Sequence, residues 1–215
     1  WYLPASAIAG TATAIDFGPV SRLGGHLVAM ASWSRDGGAG MDDLAVFVTS
    51  NGEVHVYSGS DPSSSTTWER VGTFRIGEPI GRRCFVKAGA DLGILTSQGL
   101  VPLSNVISLA ATEVPRVAVT EAIGADFKAQ YEGGKIARGW QVLEYPKKSI
   151  VIVNVPIVDG TTYYQYVFST PMKAWSRFTG IDAECWSLMG DRMFFGGVDG
   201  TVYEYTGSDD NGTEI

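Results

Sequence analysis

A glycine-centred turn followed by an alternating strand occurs twice in this chain, as SNGEVHVYSG at residues 50–59 and VDGTVYEYTG at residues 198–207. Each copy places Asn or Asp before the Gly, then Val two residues on, Tyr five on and Gly seven on. An Asn-Gly or Asp-Gly pair between apolar runs is a strong short-range hairpin signal, because Gly adopts positive φ without steric strain. The spacing therefore predicts tight type I′ turns at Gly52 and Gly200. A chain that repeats such a hairpin is committed to antiparallel sheet.

Two further hairpins surround Gly99 and Gly160, the former followed by Pro102, which suits an edge or final strand. The four turn glycines are about 50 residues apart on average, close to the length of a four-stranded propeller blade. Each hairpin is preceded by another apolar strand, at residues 26–31, 83–88, 140–145 and 184–189. A fourth strand follows two of them, at 68–74 and 174–178, opened by Trp68 and Ala174-Trp175. The expectation is an all-β fold, a β-propeller of about four to five blades over residues 1–215. These form a single domain read as a fragment of a longer chain, since Trp1 is not an initiator Met.

Two segments interrupt the pattern. Residues 105–139 are read as an insertion or linker between blades, with a short amphipathic helix over 120–131. Ile123, Phe127 and Tyr131 share its apolar face, Thr120 caps it, and Gly133-Gly134 close it. Residues 12–17 alternate well enough for a strand that would complete an otherwise incomplete blade from the other end of the chain.

Composition narrows function. A net charge of −7 disfavours a surface that grips nucleic acid, and the basic residues are dispersed, with Arg82-Arg83 and Lys147-Lys148 read as solvated turn pairs. No apolar run reaches the length of a membrane span. Cys84 and Cys185 stand alone, without CxxC or His at ligand spacing, and are expected to be reduced, buried thiols at matching first strands.

No catalytic set is evident. His26 and His55 are the only candidate bases for a Ser or Cys nucleophile, and both read as ordinary strand residues. Zinc would require both histidines and both cysteines to converge. Two oxygen-rich loops, at residues 36–43 and 209–214, lack the spacing of a calcium loop and read as turns. The run Ser34-Arg35-Asp36-Gly37-Gly38 carries half of the Asp-box hairpin signature of sialidase-like propellers, with Met41 at its aromatic position; that signature is structural. The Gly37-Gly38-Ala39-Gly40 run lacks the Lys and helix of a phosphate loop. Trp68, Trp175, Tyr57 and Tyr205 recur at matched positions, which a shared core role explains; carbohydrate stacking is the alternative. The reading is no enzyme, no cofactor, no metal and no assigned ligand site.

The stretches WERVGTFRIGEPIGRR (68–83) and GADLGILTSQGLVPLS (89–104) resemble virion proteins of tailed bacteriophages and prophages. DDLAVFVTSNGEV (42–54) and STPMKAWSRF (169–178) are similar in style. The likeness is to the β-propeller part of a tail or neck component. It implies a structural virion protein, nozzle-like, that assembles as a homo-oligomer with other virion proteins around the DNA path. It also implies assembly in the bacterial cytoplasm, without sequence-specific nucleic-acid binding. The alternative is a propeller that binds or cleaves glycans at the host cell surface.

Overall fold

A computed structural model of the chain describes residues 1–4, 6–36, 41–107, 117–135, 137–157, 160–206, 209–210 and 213–214. They are mostly β, in four antiparallel sheets. The first is a meander of β1 (Leu27–Asp36), β2 (Met41–Thr49), β3 (Glu53–Ser58) and β4 (Glu69–Arg75), in that order. The second has three strands, β5 (Phe85–Ala88), β6 (Asp91–Thr96) and β7 (Gly99–Pro102). The third is another four-stranded meander, β8 (Gln141–Tyr145), β9 (Ile150–Pro156), β10 (Tyr163–Ser169) and β11 (Ala174–Thr179). The fourth has three strands, β12 (Ala183–Met189), β13 (Arg192–Gly197) and β14 (Val202–Tyr205). A final two-residue pair joins Asp209–Asp210 to Thr213–Glu214.

The chain packs as two compact units, residues 1–82 with 87–121, and residues 83–86 with 122–215. In the first unit, the cross-strand pairs Val46–Val56 and Val48–Val54 present one face of four fully buried valines. Trp33 lies on β1, and its indole N–H donates to the Ala90 carbonyl at 3.2 Å. In the second unit Tyr145, Ile152, Val167, Ala183, Trp186 and Met193 form one buried cluster drawn from the third and fourth sheets.

Three buried amides cross that second core. Gln141, Asn154 and Gln165 are register partners on β8, β9 and β10, so their side chains share one face of the third sheet. Asn154 makes four hydrogen bonds: its amide donates to the Gly139 and Ala183 carbonyls, and its Oδ1 accepts from Gln165 Nε2 and the Trp186 indole. Gln141 donates to the Trp186 carbonyl at 2.8 Å and accepts its N–H at 2.9 Å, imitating a strand partner for β12. Gln165 reaches the Ile181 carbonyl. The ladder ties the fourth sheet to the third through groups that water cannot reach.

The repeated turn differs from the sequence expectation. Ser50, Asn51 and Gly52 form a three-residue loop in which the Gly52 N–H donates to Thr49 O, and only Gly52 has positive φ, at 78°. Type I′ requires positive φ at both central residues. The loop is instead a type I turn closed by a glycine bulge. Gly200 repeats this with φ 80° and its N–H on Gly197 O. The two glycines differ in surroundings. A Cβ at Gly52 would collide with the Ile76 carbonyl, whereas at Gly200 it would meet nothing within 4 Å.

The helix also shifts. Val119–Ile123 form a 3-10 turn, and α2 runs over Gly124–Gly134, preceded by the single turn α1 (Leu103–Val106). Thr120 is not the cap; it is buried, and its hydroxyl accepts the Leu100 N–H at 3.1 Å. A buried strand N–H without a ladder partner must be satisfied somewhere, and this need outweighs capping. The close at Gly134 agrees with the sequence, and the Trp140 indole donates to its carbonyl at 2.9 Å. Part of the insertion, residues 108–116 and 136, lies outside the described residues.

Residues 12–17 are not a sheet strand. Thr13 bridges Tyr2, and Phe17 instead lies across the outer face of the first sheet against Phe47, His55 and Tyr57. Of its apolar positions only Ile15 and Phe17 are even half-buried, and Ala12 and Ala14 stay exposed.

Three variants test these contacts. Gly200→Ala lowers stability by about 1 kcal/mol, while Gly52→Ala lowers it by roughly 3 kcal/mol, because only the latter adds a backbone collision to the unfavourable φ. Asn154→Leu orphans the Trp186 indole and two carbonyls and lowers stability by about 4 kcal/mol. Urea midpoints at constant slope measure all three.

Candidate functional site

The densest polar grouping of the first unit is built on the outer face of its sheet. Glu53, His55 and Tyr57 alternate along β3 and face the segment that Phe17 begins. Glu53 is 1% exposed and His55 is fully buried. The Glu53 carboxylate accepts the Ser21 hydroxyl and the N–H groups of Arg22 and Leu23, the latter two at 2.9–3.0 Å. The carboxylate thus holds residues 21–23 against the sheet as a backbone nest holds an anion. Burial opposes its ionisation, but the Ser21 hydroxyl and the Leu23 and Arg22 amides outweigh burial and hold its pKa below the usual carboxylate value.

His55 lies beside it. Its Nδ1 shares a 3.2 Å hydrogen bond with Thr73 Oγ1, Phe17 stacks on the ring, and Nε2 stands 4.0 Å from Glu53 Oε2 without a hydrogen-bond partner. Burial, assisted by the Arg70 charge and opposed by Glu53, holds the imidazole pKa below its ordinary value. The ring is a neutral core group.

A cleft of about 420 Å³ opens beside this pair, lined by Arg22, Arg70, Arg75, Glu53, Thr73 and Val20 among others. Its shape depends on a bulge in β4. The register runs Glu53–Arg75, His55–Thr73 and Val56–Gly72, and then jumps to Tyr57–Arg70, leaving Val71 unpaired. Strict alternation would put Arg70 on the opposite face from Thr73 and Arg75. The extra residue turns it round, a known use of bulges. Three arginines thereby share one side, and among the described residues none of them has an ion-pair partner.

A second polar group lies in the other unit. Asp126 on α2 accepts the Tyr166 hydroxyl and the Arg177 guanidinium, Tyr164 donates to Tyr166 at 3.1 Å, and Arg177 lies over both tyrosine rings at 4.7 and 5.4 Å. Burial first, then the bond to Asp126, pushes the Tyr166 hydroxyl pKa upward. The phenol stays protonated and fastens α2 to β10.

The residues singled out from sequence are dispersed. His26 is exposed and exchanges hydrogen bonds with Ser50 at the start of β1. Cys84 is buried, and burial pushes its thiol up to about 11, whereas Cys185 is only half-buried, contrary to the expectation of two buried thiols. Trp68 stacks on Tyr57 at 5.3 Å, and Trp175 packs on Phe168 at 5.1 Å, so both serve their own sheets. Arg83 bonds Gln141, and Lys147 pairs with Asp191. Ser34 donates to Asp43 at 2.6 Å. Residues 37–40 and 211–212 of the two oxygen-rich loops lie outside the described residues. Among the described residues, no group of three His, Cys, Asp or Glu side chains could hold a metal ion, and no helix is long and apolar enough to cross a membrane.

Sequence reading missed the cleft because Arg22 is far from β4 along the chain and only a bulge turns Arg70 to the face of Arg75. No family model and no curated protein matches the sequence.

The buried imidazole has a measurable consequence. Its folded pKa lies below the unfolded value of 6.5, so as pH falls the unfolded chain binds the proton first, and stability declines from about 6.5 downward. The Glu53 contribution is present above its unfolded value of 4.5 and is lost only at lower pH, as its depressed folded pKa is crossed. Between pH 7.5 and about 5.5 the wild type therefore loses stability through His55, and His55→Gln flattens that slope, as urea midpoints across the range will show.

Proposed function

We propose that this chain is a structural virion component, a propeller-type subunit of a tailed-phage tail or neck that works by assembling with further copies around the DNA path. The observation that carries this reading is the fourth sheet. Its strand β14 repeats β3 in register, with Val202 at the place of Val54 and Glu204 at the place of Val56. Val54 is completely buried, while Val202 is 73% exposed. Met189 lies on the same face of the fourth sheet as Val202 and is 64% exposed, and Tyr203, on the edge strand β14, is 42% exposed. The first and third sheets each cover the corresponding strand with a fourth, whereas among the described residues β14 is the last strand of its sheet.

An open edge with apolar side chains is a template for pairing with another chain. In a subunit built for assembly, such an edge takes a strand from a second copy. The four meander sheets, recurring with the spacing of propeller blades, supply a stiff frame for such contacts. The resemblance of residues 42–54, 68–83, 89–104 and 169–178 to virion proteins supports the same reading. An acidic chain, net −7, suits a wall past which DNA slides without adhering.

The chain is expected to self-associate with rising concentration, giving closed rings by negative-stain microscopy, and Val202→Lys is expected to abolish association by placing a charge on the pairing edge. Sedimentation velocity reads both. A wild type that stays monomeric, or association untouched by Val202→Lys, overturns the reading.

A further inference from the structure

We propose that the cleft between residues 20–23 and β4 is a binding site for a phosphate-monoester dianion carried by a small organic group. The proposal concerns a different surface from the assembly edge and stands independently of it.

Charge defines the ligand class. Arg22, Arg70 and Arg75 line the cleft with Glu53, and the three guanidiniums exceed the single carboxylate by two positive charges. Glu53 does not neutralise them by contact. Its oxygens are occupied by Ser21, Arg22 N–H and Leu23 N–H, so it acts as a positioning residue that sets the Arg22 backbone at the rim. His55 faces Glu53, Thr73, Phe17 and, electrostatically, Arg70, and adds no charge at neutral pH. The excess is matched by one dianion. Guanidinium forks bind phosphate oxygens in pairs, with geometry as well as charge.

Size and lining define the rest. A cleft of about 420 Å³ is larger than a bare phosphate needs and lies within the range of small-molecule sites. Val20 and the bulged Val71 give it an apolar wall, and the Thr73 hydroxyl a polar one. In a chain of net charge −7, three arginines gathered without carboxylate partners are a local reversal of sign. A bulge that turns Arg70 to join Arg75 is the structural device that makes it.

Titration calorimetry with inorganic phosphate and with ribose 5-phosphate tests the proposal on the whole chain. Saturable binding of both is expected, tighter for the sugar phosphate, and about tenfold weaker in Arg70→Ala and in Arg75→Ala. Both arginines are exposed, so the variants keep the fold, which circular dichroism verifies. Lys147→Ala, which removes a cation in the other unit, leaves binding unchanged. Absence of saturation overturns the proposal, as does an equal response to sodium chloride at matched ionic strength, or wild-type affinity in both arginine variants. A short DNA duplex that binds as tightly as ribose 5-phosphate and loses affinity in the same variants overturns the monoester assignment in favour of a phosphodiester contact. Sedimentation of Arg70→Ala reads assembly separately, and it is expected to match the wild type.

Discussion

The second unit depends on one buried side chain. Asn154 occupies an inner strand of its sheet, where both backbone edges are already paired, and its amide supplies two donors and its oxygen takes two. Gln141 and Gln165 stand beside it at the same register, so a row of amides rather than a row of aliphatic groups meets β12. Sheets stacked by apolar contact alone can slide against each other, because the hydrophobic effect has no direction. Hydrogen bonds at fixed atoms remove that freedom, and in the dry interior each one left unmade would be expensive.

The first unit solves a related problem with a charge. Residues 17–25 have no sheet ladder of their own, and the N–H groups of Arg22 and Leu23 would be unsatisfied against the sheet face. Glu53 accepts them, ionised and buried, while Phe17 covers Phe47, His55 and Tyr57. The same carboxylate places Arg22 at the cleft, so a group that stabilises the fold also orders the polar surface above it. In both units, a polar residue on an inner strand fastens a neighbouring element that backbone pairing alone would not hold.

Much of the fold was legible because the strands obey local rules. Alternation and turn glycines located all fourteen strands of the four sheets, including the fourth strands that follow Trp68 and precede Gly180, but ended the first at residue 31 where β1 runs on to Asp36. Errors came where a tertiary demand competed with a local one. Thr120 has the side chain of a helix cap but answers the Leu100 N–H; residues 12–17 alternate like a strand but make a single bridge and lay only Phe17 on a sheet face; Asn51-Gly52 looks like a two-residue turn but accommodates a third residue with a bulge. The candidate site was less legible still. Its arginines carry no motif, and their faces depend on Val71 falling out of register.

The amino-acid sequence by itself determined the class, the strands and the repetition, since φ preferences and two-residue periodicity are properties of neighbouring residues. Tertiary structure alone decided which polar residues became buried structural groups and which stayed exposed at the cleft. Glu53, Asn154, Arg70 and Arg177 look alike in sequence as polar positions on strands. Their roles separate only once distant segments meet, because a buried polar group is defined by the partner that desolvation forces it to find, and an exposed one by the lack of that demand.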